Sequence, residues 1–241
     1  MNVDERHPYY QYHSHESVYR YHNFMPQLVP SILETTKEGF LDVYRQEIKL
    51  PNAERIQVDF SDGIFVPNKI LPIEEIDVLN PAFDWEAHLM VKEPKDFLDY
   101  KICGFKTIII HYEAFAEKDD ILKAITSIKS QGMEPALCIN PDTEISALEE
   151  FKDVVKHFQI MSVYPGYQGT PFVEKTYDRI TELRKQVPNA IIEVDGGVGL
   201  GNIKKLALAG ADLLILGSSI TKAPNMAEAW ERLNQQLTIN Q

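Results

Sequence analysis

The feature that most constrains this chain is an alternation between two kinds of segment. Short runs rich in Val and Ile recur at 28–33, 55–60, 85–91, 107–111, 134–139, 158–163, 190–194 and 213–216. Each is followed by a longer stretch with helical spacing of apolar residues. In 119–130, Ile121, Leu122, Ile125 and Ile128 mark one face, and in 177–186 Ile180 and Leu183 do the same. Eight such strand-helix units, spaced by roughly 25 to 30 residues, predict an α/β chain closed into a (β/α)8 TIM barrel rather than an open doubly wound sheet. A glycine fingerprint of the G-x-G-x-x-G kind is missing after the first run, which weakens a dinucleotide-binding reading.

The 241 residues suit one domain of this type, with hydrophobic residues at 44% and charged ones at 25%, the balance of a chain with a sizeable core. The barrel is assigned to 27–241. Residues 1–26 form an irregular arm, in which Tyr9, Tyr10, Tyr12, Tyr19 and Tyr21 alternate with His7, His13, His15 and His22. It reads as a loose or surface-docked extension, with metal holding by His13 and His15, or assembly contacts, as alternatives. A net charge of -12 and the lack of a basic stripe argue against a nucleic-acid partner. They do not argue against a small phosphorylated ligand, because backbone N–H groups and a helix N-terminus hold phosphate whatever the overall charge. Cys103 and Cys138 fall in different core elements and read as buried thiols. Without a long apolar run or a signal-like start, the expected location is cytoplasmic, with no membrane partner.

In such a barrel the C-terminal strand ends and the loops after them carry the chemistry. Strand alternation puts Gln57, Asp59 and Ser61 on one face of the second run. The third run carries His88, the fourth ends in His111 with Glu113 beyond it, and the seventh ends in Asp195-Gly196-Gly197. Asp59 and Asp195 come from opposite sides of the barrel and can face the two sides of one carbon, one taking a proton and the other returning one, with a metal between them. An isolated Asp in this position commonly caps the next helix instead; the joint occurrence with His88 favours chemistry. His111 and Glu113 read as a core histidine paired with a carboxylate, and His157, placed just before a strand, as structural. Glycines at 166, 169, 196, 197 and 217 let backbone N–H groups approach an anion, and the pair of turns after strands seven and eight is where barrels often bind phosphate.

These segments, in order, resemble the ribulose-phosphate 3-epimerase family from Val29 to about Ile220. The motifs are Val29-Pro30-Ser31-Ile32-Leu33, Val58-Asp59 through Asp62-Gly63 with Phe65-Val66-Pro67-Asn68, His88-Leu89-Met90-Val91, Met161-Ser162-Val163 before Pro165-Gly166, Glu193-Val194-Asp195-Gly196-Gly197-Val198, and Gly217-Ser218. The resemblance implies an isomerase of the pentose phosphate pathway that interconverts D-ribulose 5-phosphate and D-xylulose 5-phosphate through an enediolate, with a divalent metal (Zn, Mn, Fe or Mg). Asp59 and Asp195 would be its acid/base pair. Asp59, His88 and Asp195 would bind the metal, and Ser31 and His88 would touch the sugar. The phosphate would lie against Gly166, Tyr167, Gln168, Gly169, Gly196, Gly197, Gly217 and Ser218. A phosphorylated ketose is then the expected partner, and self-association into a homo-oligomer stays open.

Several positions depart from the family pattern. Its fourth metal ligand, a histidine, is Gln57 here, and an amide oxygen in that place predicts weaker zinc binding or a shift toward harder ions. Ser61 stands for a methionine, Tyr164 for an asparagine, Gln168 for a glycine and Thr170 for a glutamine. These changes keep two alternatives in play: action on another ketose phosphate such as allulose 6-phosphate, and sugar-phosphate binding without catalysis.

Overall fold

The computed structural model describes residues 25–76, 79–95, 104–166 and 170–238. The arm at 1–26 lies outside them except for Met25 and Pro26, as do Cys103 and the segment 167–169.

Eight parallel strands close into a barrel in sequence order, β1 (Gln27–Ile32), β2 (Arg55–Ser61), β3 (Asp84–Met90), β4 (Phe105–His111), β5 (Glu134–Ile139), β6 (His157–Met161), β7 (Ile191–Asp195) and β8 (Leu213–Leu216), with β8 pairing back onto β1. The strands match the eight apolar runs to within a residue or two at each end. His157 is a correction: it opens β6 rather than preceding it. Strands in this arrangement are covered on both faces, so they read as nearly continuous apolar runs.

The described helices are α1 (Lys37–Glu47), α2 (Lys118–Ser130), α3 (Thr176–Gln186), α4 (Ile203–Ala209), α5 (Ser218–Thr221) and α6 (Met226–Thr238). Thr36 starts α1 by accepting a hydrogen bond at Oγ1 from Gly39 N (3.1 Å), satisfying one N–H that the first turn leaves free. In α2 the buried stripe is Ile121, Ala124, Ile125 and Ile128, while Leu122 stands on its flank, 39% exposed. After β5 the connection is a 3-10 segment, Ile145–Phe151, whose buried Ile145, Leu148 and Phe151 cover the barrel in place of an α-helix.

Two cores result. A large apolar shell lies between the strands and the outer elements, built around residues such as Trp85, Phe158, Leu183 and Trp230. Inside the barrel the apolar residues split into two small groups, Ile109, Ala136, Cys138, Met161 and Val163 in one and Val29, Leu213 and Ile215 in the other. Also buried are Gln57, Asp59, Glu86, His88, His157, Gln159 and Glu193, and from β2 Gln57 reaches across the barrel to Gln159 of β6 and Asp195 of β7.

Candidate active site

A cavity opens at the C-terminal strand ends. Its wall includes Ser31 of β1 and Leu33 just after it, Asp59 of β2, Met90 of β3, and Met161, Val163, Pro165, Gly166 and Thr170 of and after β6. Asp195, Gly196, Gly197 and Val198 follow from β7, and Gly217 and Ser218 from β8. Nine of the residues named from sequence lie on one wall or directly behind it: Ser31, Asp59, Gly166, Asp195, Gly196, Gly197, Gly217 and Ser218 line it, and His88 sits behind.

Sheet register brings Asp59 level with His88 across the β2–β3 pair and Met161 level with Asp195 across β6–β7. His88 Nδ1 lies 2.8 Å from Asp59 Oδ1 and 3.2 Å from Asp195 Oδ2. The two carboxylates therefore share one small volume. Ser162 fixes the strand end behind Asp195, since its backbone N–H and its hydroxyl both donate to the Asp195 carbonyl, at 2.7 and 2.9 Å. Gly196 then turns the chain with φ +111°, and a Cβ there would lie 2.4 Å from Val163 Cγ2, so only glycine fits. Gly166, at φ +116°, packs on Val66 of the loop after β2, where a Cβ would lie 3.0 Å from Val66 Cβ.

The electrostatics suit a site that handles protons. Burial raises the Asp59 carboxyl above its ordinary range; the hydrogen bond with His88 works against this, and the charge of Asp195 pushes it up again. For His88 burial acts to lower the imidazole, but hydrogen bonds with Asp195 and Asp59 overcome it and raise the group well above its usual value. His88 Nε2 lies 2.9 Å from His111 Nε2. The contact requires one proton between the two nitrogens, and with it on His88 the Nδ1 edge is left for the acid pair. His111 itself is buried, 3.4 Å from Glu113, in agreement with the core pairing expected for it. Glu113 accepts from Asn140 N (2.8 Å) and Thr143, tying the fourth loop to the fifth.

Among the described residues, three sets of side chains have donor atoms within 4.8 Å of one another: Asp59 with His88 and Asp195, His88 with His111 and Cys138, and Glu86 with His157 and Glu193. The first, two carboxylate oxygens at the cavity wall and one imidazole nitrogen behind them, has the donor chemistry of a divalent-cation site. Gln57 behaves differently from its expected part. Its amide nitrogen, not its oxygen, faces the set, donating to Asp59 Oδ1 (2.9 Å) and Asp195 Oδ2 (3.0 Å) and standing 3.4 Å from His88 Nδ1.

Residue comparison with known proteins follows the same layout. The ribulose-phosphate 3 epimerase family matches residues 27–221. The chain belongs to the ribulose-phosphate 3-epimerase family. It is 36% identical over 189 residues to the chloroplastic ribulose-5-phosphate-3-epimerase of Arabidopsis thaliana, covering 76% of this chain and 67% of that protein. It is 30% identical over 221 residues to the cytoplasmic isoform of ribulose-phosphate 3-epimerase from Oryza sativa subsp. japonica, covering 89% and 96%. Among solved structures, 3-hexulose-6-phosphate synthase from Salmonella typhimurium superposes with a TM-score of 0.64 at 16% identity, covering 88% of this chain and 98% of that one, a likeness of fold.

Against this epimerase pattern the remaining sequence positions sort themselves. His88 is fully buried and absent from the cavity wall, so it reaches the cavity through Asp59 rather than directly. Ser61 gives its hydroxyl to the Asn68 carbonyl and closes the loop after β2; Asp62 caps the same loop, accepting from Ile64 N and Phe65 N, and reaches across to Lys92 N. Tyr164 points outward and donates to Asp142 Oδ1 (2.9 Å). Neither Ser61 nor Tyr164 lines the cavity, whereas Thr170 does. Tyr167, Gln168 and Gly169 lie outside the described residues. Sequence reading passed over Gln159. Its signal was available: an amide in the middle of β6, in step with Met161 and Val163 and thus on the inward face. Among the described residues no helix is long and apolar enough to cross a membrane.

Proposed function

We propose that this protein interconverts D-ribulose 5-phosphate and D-xylulose 5-phosphate by moving the proton on C3. The observation that carries the reading is the convergence of Asp59 and Asp195, from β2 and β7, on the same imidazole nitrogen at the wall of one cavity. With the ketose carbon between them, one carboxylate removes the C3 proton from one face and an enediolate forms; the other, protonated, returns a proton to the opposite face, and the configuration inverts. The raised Asp59 suits a group that must exist in both protonation states during a cycle. Asp59, His88 and Asp195 would hold a divalent cation, which when bound supplies positive charge for the enediolate oxygens. Ser31 lies on the same wall and would orient the sugar hydroxyls, while the backbone of Gly166, Gly196, Gly197, Gly217 and Ser218 would receive the phosphate.

The test is to incubate purified protein with ribulose 5-phosphate and a divalent metal in deuterated water. Formation of xylulose 5-phosphate with deuterium at C3 is the expected result. No product and no exchange with Mn2+, Fe2+, Mg2+ or Zn2+ would reject the activity. Faster turnover of a hexulose phosphate than of the pentulose would move the assignment to that substrate.

A further inference from the structure

The amide nitrogen of Gln57 is within 3.4 Å of the three atoms that could ligate a cation, Asp59 Oδ1, Asp195 Oδ2 and His88 Nδ1. Its two protons go to the two carboxylates, so it meets the acid pair as a hydrogen-bond donor. The orientation is enforced from below. Gln57 Oε1 accepts from Gln159 Nε2 at 2.8 Å, and the same Gln159 nitrogen donates to Glu193 Oε1 at 3.0 Å. Gln57, Gln159 and Glu193 are all fully buried, so a broken contact among them is costly.

Gln57 cannot turn alone. A half-turn of its amide would set its oxygen against two carboxylates and its NH2 against the NH2 of Gln159. Once a cation lies among Asp59, His88 and Asp195, the preference reverses, because the amide oxygen is the end that coordinates a hard cation. Gln159 would then have to turn as well, offering Gln57 its Oε1, which now has no hydrogen-bond partner although buried. That turn moves the Gln159 carbonyl onto Glu193. We propose that Gln159 is a positioning residue that locks Gln57 nitrogen-inward, so that cation binding at the acid pair requires both amides to turn together. Gln159 thereby sets metal affinity without touching metal or substrate.

This inference builds on the cation site of the proposed function, and its test reads metal binding separately from turnover. Mn2+ and Zn2+ dissociation constants are measured by competition with a chromophoric chelator for the wild type, Gln159→Leu, Gln57→His and the double variant, with circular dichroism as a check on folding. Gln159→Leu should bind about 10-fold more tightly or better, the scale on which groups behind a ligand act. The gain should vanish in the Gln57→His background, where no amide remains to be locked. Equal affinity of wild type and Gln159→Leu, or the same gain in both backgrounds, overturns the lock. Should Gln159→Leu not fold, Gln159→Met, closer in length, takes its place with the same two criteria. Epimerase assays on the same samples separate the claims: affinities that follow the pattern without turnover sink the activity alone, and turnover with unchanged affinities sinks the lock alone.

Discussion

The two sides of the barrel wall solve burial in opposite ways. Outside, Phe158, Ile160 and Ile192 face the apolar shell, where shape and hydrophobic area suffice. Inside, the neighbouring positions on the same strands are His157, Gln159 and Glu193, where every polar group needs a partner. Burial raises the Glu193 carboxyl to about 8 and lowers His157 to about 4, and the two side chains meet in a short hydrogen bond. Glu86 is pushed to about 7, first by burial and then by the Glu193 charge, with Arg55 holding it down. The comparison teaches that one strand, read alternately, can serve stability on one face and the acid pair's surroundings on the other.

The sharpest way to break this division is at the acid pair. Asp195→Asn should lower kcat by about 100-fold to 10,000-fold, the usual worth of a general acid or base, while the thermal midpoint holds or rises as two close carboxylates become one. A fall in stability with little loss of turnover would reverse the roles assigned to the two sides. Phe158→Ala tests the outer face: a cavity there should cost about 3 to 5 kcal/mol in urea unfolding, with kcat per folded molecule unchanged.

A pH experiment sharpens the contrast, because the largely apolar exterior also holds a buried carboxyl. Glu47, the last residue of α1, is fully buried and neither carboxyl oxygen has a partner. Burial, reinforced by the charge of Asp59, holds its carboxyl well above the ordinary value of 4.5. The folded state thus binds this proton more tightly than the unfolded one, so the stability tied to it is full below that ordinary value and declines as pH rises toward the folded value. Unfolding free energies of Glu47→Met should fall less than those of the wild type between about pH 5 and pH 8. Identical slopes would show that Glu47 is not buried as described. The smallest effect belongs to a helix start: Thr36→Ala should cost about 1 kcal/mol by loss of the cap on Gly39 N, read from the same unfolding curves.

Much of this was legible from the residue order. Eight apolar runs located the strands, since the strand face packed against the outer shell must be apolar whichever neighbours it has, and Asp59, His88 and Asp195 stood at strand ends where a barrel places its chemistry. Leu122 shows the limit of periodicity, as a helical stripe can be drawn one residue too wide until packing selects its edge. Ser61 and Tyr164 show another: their positions near the mouth were readable, but not that one hydroxyl turns to Asn68 and the other outward to Asp142.

By itself, then, the sequence determined the barrel, the order of its strands and the pair of carboxylates, because these follow from local pattern and from strand count. Only the tertiary structure decided which end of the Gln57 amide meets Asp59 and Asp195. That choice rests on Gln159 and Glu193, about 100 or more positions further along the chain. A hydrogen-bonding direction belongs to the whole network, and no single residue in it carries the answer.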